Sequence, residues 1–306
     1  MFFKQTNAWH DVGSQLVDEI EKRHAQDGLT RDKFGLVIVE EHAEGPQGFS
    51  HRGNWRCYPC SLVKAFHLVH VLHALEEGRL KAHQDLDRAM HDMIAWSSNT
   101  ATNYVIDLLT ETTGDTRLAP ADLASWIERR EALNRFFLRL DWPEFAGCNI
   151  TQKLMDDMRY GREAQYAGPN GQNLNALTPL AAARLFYEIF AGDVPLSEGG
   201  RKCAQDILMR ERDGPKSESP HYQVEDFLGG GTPKDTQIWS KAGKNSWTGD
   251  PNASYFKHDL IRIVRPDGAP LILTLMTQGK IICEYKPEVF PALGKLIFDI
   301  ASKKLK

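Results

Sequence analysis

The sequence predicts an α+β fold, with strands gathered near both ends of the chain and helices filling the middle. Three observations carry this. At the start, Trp9, Val12, Leu16 and Ile20 recur at the period of an amphipathic helix, and the apolar run Phe34 to Val39 follows as a strand. At the end, Leu260 to Val264 and Leu271 to Met276 read as a hairpin across Arg265-Pro266-Asp267-Gly268, and a helix carrying Val289, Leu293, Leu296 and Ile300 follows. Between them, Ala65 to Leu75 is apolar on most sides and marks a buried helix, and Leu86 to Trp96 and Ala101 to Leu109 read as two more. Thr178-Pro179 opens a further helix as N-cap and first-turn proline, and Gln237 to Ser240 is strand-like.

Length and composition agree. At 306 residues the chain exceeds an ordinary single domain, so two lobes with a site between them are expected. A hydrophobic fraction of 42% with 25% charged residues is globular, and no apolar run is long enough to span a bilayer. Thirty-seven basic against 41 acidic residues leave a net charge of -4, which argues against nucleic acid or a membrane as partner. Met1 to Gly13 holds Lys4, His10 and Asp11 and lacks the apolar core of a secretory signal, so a cytoplasmic location is expected, or a periplasmic one where a leader has been removed.

The chemistry is concentrated in Ser61-Leu62-Val63-Lys64, at the head of the buried apolar run. On a helix, positions i and i+3 share a face about 5–6 Å apart, so the Lys64 amine is expected to reach the Ser61 hydroxyl and take its proton. Burial disfavours the ammonium form and lowers a lysine's pKa, which fits Lys64 for work as a base. Two later segments extend the pattern. Ser97-Ser98-Asn99 falls on a connection between helices, and Lys241-Ala242-Gly243 closes the strand-like run.

Ser-x-x-Lys, Ser-x-Asn and Lys-x-Gly in this order resemble the serine β-lactamase and penicillin-binding-protein superfamily, most closely its class A branch. The resemblance extends over nearly the whole chain. It implies an antiparallel five-stranded sheet flanked by helices, built from residues 1–58 and 205–306, an all-helical lobe from 59–204, and an active site between the two. It implies that Ser61 attacks a carbonyl carbon to form an acyl-enzyme, that Lys64 accepts its proton, and that Ser97 relays a proton to the leaving atom with Lys241 beside it. The oxyanion would lie on the N–H groups of Ser61 and Lys244. Asn99, Ala242, Gly243 and Lys244 would line the substrate, with Asn99 either binding its side-chain amide or tying the lobes together. No cofactor and no metal are implied, the partner is a small-molecule substrate, and the oligomeric state is left open.

The chain departs from this pattern in several places. Ser98 stands where the family has Asp, with a small effect expected because that residue is mainly structural. Ala242 replaces a Thr that helps bind the substrate carboxylate, which leaves Lys244, Asn245 or Ser246 as substitutes. The segment from Leu80 to Ser97 is short, which removes one wall of the cleft. The family's loop glutamate, which activates the hydrolytic water, has no matching string between Asn99 and Thr178; Glu144 and the pair Asp156-Asp157 are the nearest carboxylates. Tyr160 to Asn175 is expected as a loop bordering the cleft.

Other features read as structural. Cys57, Cys60, Cys148, Cys203 and Cys283 are an odd number, and Cys57-Tyr58-Pro59-Cys60 lacks a second cysteine pair, so structural use outweighs a regulatory disulfide beside Ser61. His67, His70 and His73 fan too widely around their helix for one metal. Gly229-Gly230-Gly231 reads as a flexible turn. Three functions remain: a serine hydrolase of β-lactamase type acting on a β-lactam or related amide or ester, a glutaminase-like amidase, or an acyl-binding sensor that does not turn over. The first is preferred, because glutaminases carry a tyrosine where this chain has Ser97.

Overall fold

A computed structural model describes residues 1–156, 158–265 and 268–304. The elements run α1 (Asn7–His24), β1 (Phe34–Glu40), β2 (Gln47–His51), α2 (Val63–Glu76), α3 (Gln84–Ala95), α4 (Asn99–Thr110), α5 (Pro120–Arg130) and α6 (Ala132–Leu138). They continue with α7 (Gly161–Ala167), α8 (Pro179–Phe190), α9 (Glu198–Leu208), β3 (Gln237–Lys244), β4 (Phe256–Val264), β5 (Leu271–Gln278), α10 (Lys280–Glu284) and α11 (Val289–Lys304). The five strands form one antiparallel sheet in the order β2-β1-β5-β4-β3. The first strand of the chain thus pairs with the last, and the sheet draws on both chain ends.

Both faces of the sheet are covered, which explains why its strands read as apolar runs rather than alternating ones. All seven residues of β1 are buried. Leu36 and Ile38 point into a core with Trp9, Val12, Leu16 and Ile20 of α1 and Phe290, Leu293 and Ile297 of α11. Val37 and Val39 point the other way, into a core shared with α2, α3, α4, α6 and α8. Thr6 caps α1, its Oγ1 accepting from Trp9 N at 3.3 Å, and Thr178 caps α8, its Oγ1 accepting from Ala181 N at 3.1 Å. Among the described residues, no helix is long and apolar enough to cross a membrane.

Four local expectations are revised by packing. Ser61 does not begin the long helix but sits in a 3₁₀ turn, Cys60–Leu62, ahead of α2. Lys241-Ala242-Gly243 lies inside β3 rather than closing it. The stretch from Tyr160 to Asn175 contains α7, fixed by an ion pair between Glu163 and Arg130 at 2.7 Å with both side chains buried. The glycine run is no flexible turn: Leu228–Gly231 is a 3₁₀ turn packed on α11, where a Cβ on Gly231 would lie 1.8 Å from Pro291 O. Pro266 and Asp267 of the expected hairpin turn lie outside the described residues.

The three histidines of α2 go to separate neighbours. His70 stacks on Phe136 with ring centroids 4.2 Å apart, His73 meets Pro195 O at 2.8 Å, and His67 is fully buried. The five cysteines are free thiols, and Cys57 pairs its backbone with Leu177.

The contact between α11 and the glycine turn gives a test of the fold. A Cβ on Gly294 would stand 2.0 Å from Leu228 O, a backbone atom that cannot turn aside. Gly294→Ala is expected to destabilise the protein by about 1–3 kcal/mol or more, read as a fall in the urea midpoint with an unchanged slope.

Candidate active site

The site is built on the free edge of β3. Asn245 N donates to Phe256 O at 2.9 Å, so the odd-numbered residues of this strand exchange bonds with β4 and the even-numbered ones turn their backbone groups outward. Ile238 O accepts from Arg210 N, and Ser240 O accepts from the Arg210 guanidinium, in line with this. By the same alternation the N–H of Lys244 faces the open edge. The 3₁₀ turn carrying Ser61 lies against that edge: a Cβ on Gly243 would be 2.5 Å from Ser61 N and 2.9 Å from Cys60 Cβ. Only glycine allows this approach, which brings the Ser61 and Lys244 N–H groups to one place. Cys60 reaches the turn with φ +49°, in the left-handed region.

From the helical side, the connection between α3 and α4 supplies Ser97, also left-handed at φ +56°. Ser98 then caps α4, its Oγ accepting from Ala101 N at 3.1 Å, so the serine performs the capping work an aspartate would do. Ser97 Oγ stands between two amines, 3.2 Å from Lys64 Nζ and 3.0 Å from Lys241 Nζ. Lys64 also donates to Ser97 O at 2.5 Å and to Asn99 Oδ1 at 2.8 Å. Lys241 donates to Gln223 Oε1 at 3.0 Å and Ala242 O at 2.6 Å.

These contacts correct the expected Ser61–Lys64 hydrogen bond, which is not made among the described residues. Ser61 lies in the turn before α2, and the three N–H donors of Lys64 are claimed by Ser97 O, Ser97 Oγ and Asn99 Oδ1. Both amines are fully buried. Burial brings Lys64 down to about 7, against the opposing pull of the Asp156 charge. Burial, followed by the nearby charges of Lys64 and Arg210, holds Lys241 well below its ordinary value.

Of the substrate-lining residues expected from sequence, Gly243 is at the edge and Asn99 joins Lys64 to Asp156, its Nδ2 donating to Asp156 Oδ1 at 2.5 Å. The Ala242 side chain is buried in the sheet core on the face of α1 and α11, away from Lys241. Lys244 shares that parity, so its backbone rather than its ammonium faces the edge. Glu144 is not brought to the site. Its 3₁₀ turn, Pro143–Phe145, buries Phe145 against Phe66 and Phe137, which directs the Glu144 carboxylate toward Arg184 of α8 at 3.8 Å.

The carboxylate that does arrive is Asp156. Its segment is laid along α4 by Asn103, which donates to Leu154 O at 2.9 Å and accepts from Leu154 N at 3.1 Å. Arg130 holds the same segment further back through Thr151 O at 3.0 Å. Asp157 lies outside the described residues. Sequence reasoning missed Gln223 and Arg210. Neither sits in a periodic pattern, and both reach the site only through the folding of the long connection between α9 and β3. Gln223 is left-handed at φ +59°, and Arg210, fully enclosed, ties Ile94 O and Ala95 O at the end of α3 to Ser240 of β3.

A family model described as the beta-lactamase enzyme family matches residues 16–301. Among solved structures, a class A β-lactamase of the last common ancestor of Gram-negative bacteria is 19% identical, covers 93% of this chain and 98% of its own, and superposes with a TM-score of 0.64. A β-lactamase from Xanthomonas campestris pv. campestris is 18% identical, covers 94% of this chain and 98% of its own, with a TM-score of 0.66. At these identities the likeness is one of fold. No curated protein matches the chain.

The burial of Lys64 makes a prediction independent of any substrate. Its side-chain carbon resonances are expected to titrate with a midpoint near 7 rather than at the ordinary lysine value. Between about 7 and 10.5 the unfolded chain then binds more protons at this residue than the folded one, so Lys64 makes folding stability rise with pH across that window. A midpoint above about 9.5, read by NMR of labelled lysines, contradicts the desolvated amine.

Proposed function

The chain belongs to the beta-lactamase enzyme family, and on that premise we propose that it is a serine hydrolase acting on a β-lactam or a related amide or ester through an acyl-Ser61 intermediate. The observation that carries the reading is Ser97 Oγ held between Lys64 and Lys241 at 3.2 and 3.0 Å, beside a turn that places Ser61 on the β3 edge. Two amines lowered by burial around one hydroxyl form a proton reservoir, able to take a proton from one oxygen and deliver it to another.

In this mechanism Ser61 Oγ attacks the carbonyl carbon, and its proton passes to Lys64, through a water where the direct contact is not made. The developing oxyanion receives hydrogen bonds from the N–H groups of Ser61 and Lys244; in other hydrolases one such donor is worth about 10²–10³ in rate. Ser97 protonates the leaving nitrogen or oxygen and is reprotonated from the paired amines. Hydrolysis of the acyl-enzyme needs a base, and Asp156 is the carboxylate favoured for activating the water. It touches Asn99, is exposed to solvent and stands in the field of Lys64.

Intact mass spectrometry with a chromogenic cephalosporin or an activated ester tests each part. Ser61→Ala is expected to abolish both the adduct and turnover; full activity in that variant removes the assignment. Lys64→Ala is expected to slow acylation by about 10²–10⁴-fold. Asp156→Asn is expected to keep acylation while the adduct accumulates, with deacylation slowed by about 10²–10⁴-fold. A wild-type adduct that persists for hours favours the non-turnover sensor instead.

A further inference from the structure

Beyond the nucleophile, a cavity of about 470 Å³ is lined by Arg159 ahead of α7, by Asn170 after α7, and by Thr248, Asp250 and Asn252 of the connection between β3 and β4. The first and the last of these segments lead from the site. Arg159 lies three residues past Asp156, which touches Asn99, and Thr248 lies four residues past Lys244 of the β3 edge. A second cavity of about 350 Å³ shares Pro251 and Asn252 with the first and reaches Tyr58 and Phe256, next to the Ser61 turn. Phe256, on the wall of that second cavity, also touches the residue preceding the nucleophile, its O lying 3.8 Å from Cys60 Sγ.

The cavity holds one cation and one anion joined by a single weak contact. Arg159 Nη2 meets Asp250 Oδ2 at 3.3 Å, with both side chains about one-fifth exposed. The guanidinium makes no other hydrogen bond among the described residues, so most of its fork of donors is uncommitted. Asp250 is oriented by Asn252 N, which donates to its Oδ1 at 2.8 Å. Gly171, left-handed at φ +65°, leaves the space beside it: a Cβ there would stand 3.2 Å from Asp250 Oδ2. A partly exposed pair held by one long contact contributes little stability, so a ligand can open this one at small cost.

Resting on the acyl-Ser61 reading, we infer that the natural acyl group ends in an amino-acid head, its carboxylate on Arg159 and its ammonium on Asp250. A planar guanidinium takes a carboxylate through two parallel hydrogen bonds, a stronger arrangement than the one long contact it makes here.

The test uses phenyl esters with one acyl chain length and four ends: methyl, carboxylate, ammonium and amino acid. The ratio of kcat/KM for the amino-acid ester to that for the methyl ester, taken within one preparation, does not depend on the fraction folded. In wild type this ratio is expected to be about tenfold or more, the value of a charge-assisted hydrogen bond. It should collapse in Arg159→Ala through the carboxylate and in Asp250→Ala through the ammonium, and Arg159→Lys should restore part of it. Acylation of Ser61 by all four esters at similar kcat/KM overturns this inference and leaves the hydrolase reading standing. Failure of every ester to label Ser61 overturns the hydrolase reading and this inference with it.

Discussion

Two amines that the fold has stripped of water converge on a single hydroxyl, and most of the architecture can be understood as what that convergence requires. Lys64 and Lys241 are both fully buried, and the charge of Lys64 makes that of Lys241 more costly. Burying two like charges this close is tolerable because each Nζ has three oxygen acceptors in place and because desolvation moves both amines toward their neutral forms. The consequence is chemical: an amine near neutrality can accept a proton and return it at ordinary pH.

Holding that arrangement takes backbone strain. Cys60, Ser97 and Gln223 are non-glycine residues with left-handed φ, and all three belong to the segments that surround the two amines. Each costs roughly 1–3 kcal/mol, which persists only where surrounding structure fixes it. Rigid elements do so here. The buried helix α2 carries Lys64, the edge strand β3 carries Lys241, and Arg210 ties the end of α3 to β3, so neither amine can move without disturbing a core.

The carboxylates illustrate how packing assigns roles that composition leaves open. Glu144 and Asp156 are both loop residues within the same part of the chain. Phe145 anchors the first loop in the helical core and carries Glu144 toward Arg184, whereas Asn103 and Arg130 align the second along α4 and deliver Asp156 to Asn99. The difference lies in side chains one to several residues away from either carboxylate. Asn99, with one end on Lys64 and the other on Asp156, couples the loop to the amines.

The sequence by itself determined the layout. The spacing of Trp9, Val12, Leu16 and Ile20, the apolar run of β1 and the closing hairpin are periodic signals, set by whether a side chain faces a core, and they survive folding unchanged. It also placed Ser61, Lys64, Ser97, Asn99, Lys241 and Gly243 in motifs whose types and order were legible, and the structure draws them into one region. Tertiary structure alone decided which contacts they make. Lys64 faces Ser97 rather than Ser61 because the chain enters α2 through a 3₁₀ turn, and Gln223, Arg210 and Asp156 arrive on segments without periodicity. A hydrogen bond depends on tenths of an ångström between residues far apart in the chain, and only the packing of the two cores against the sheet sets distances that fine.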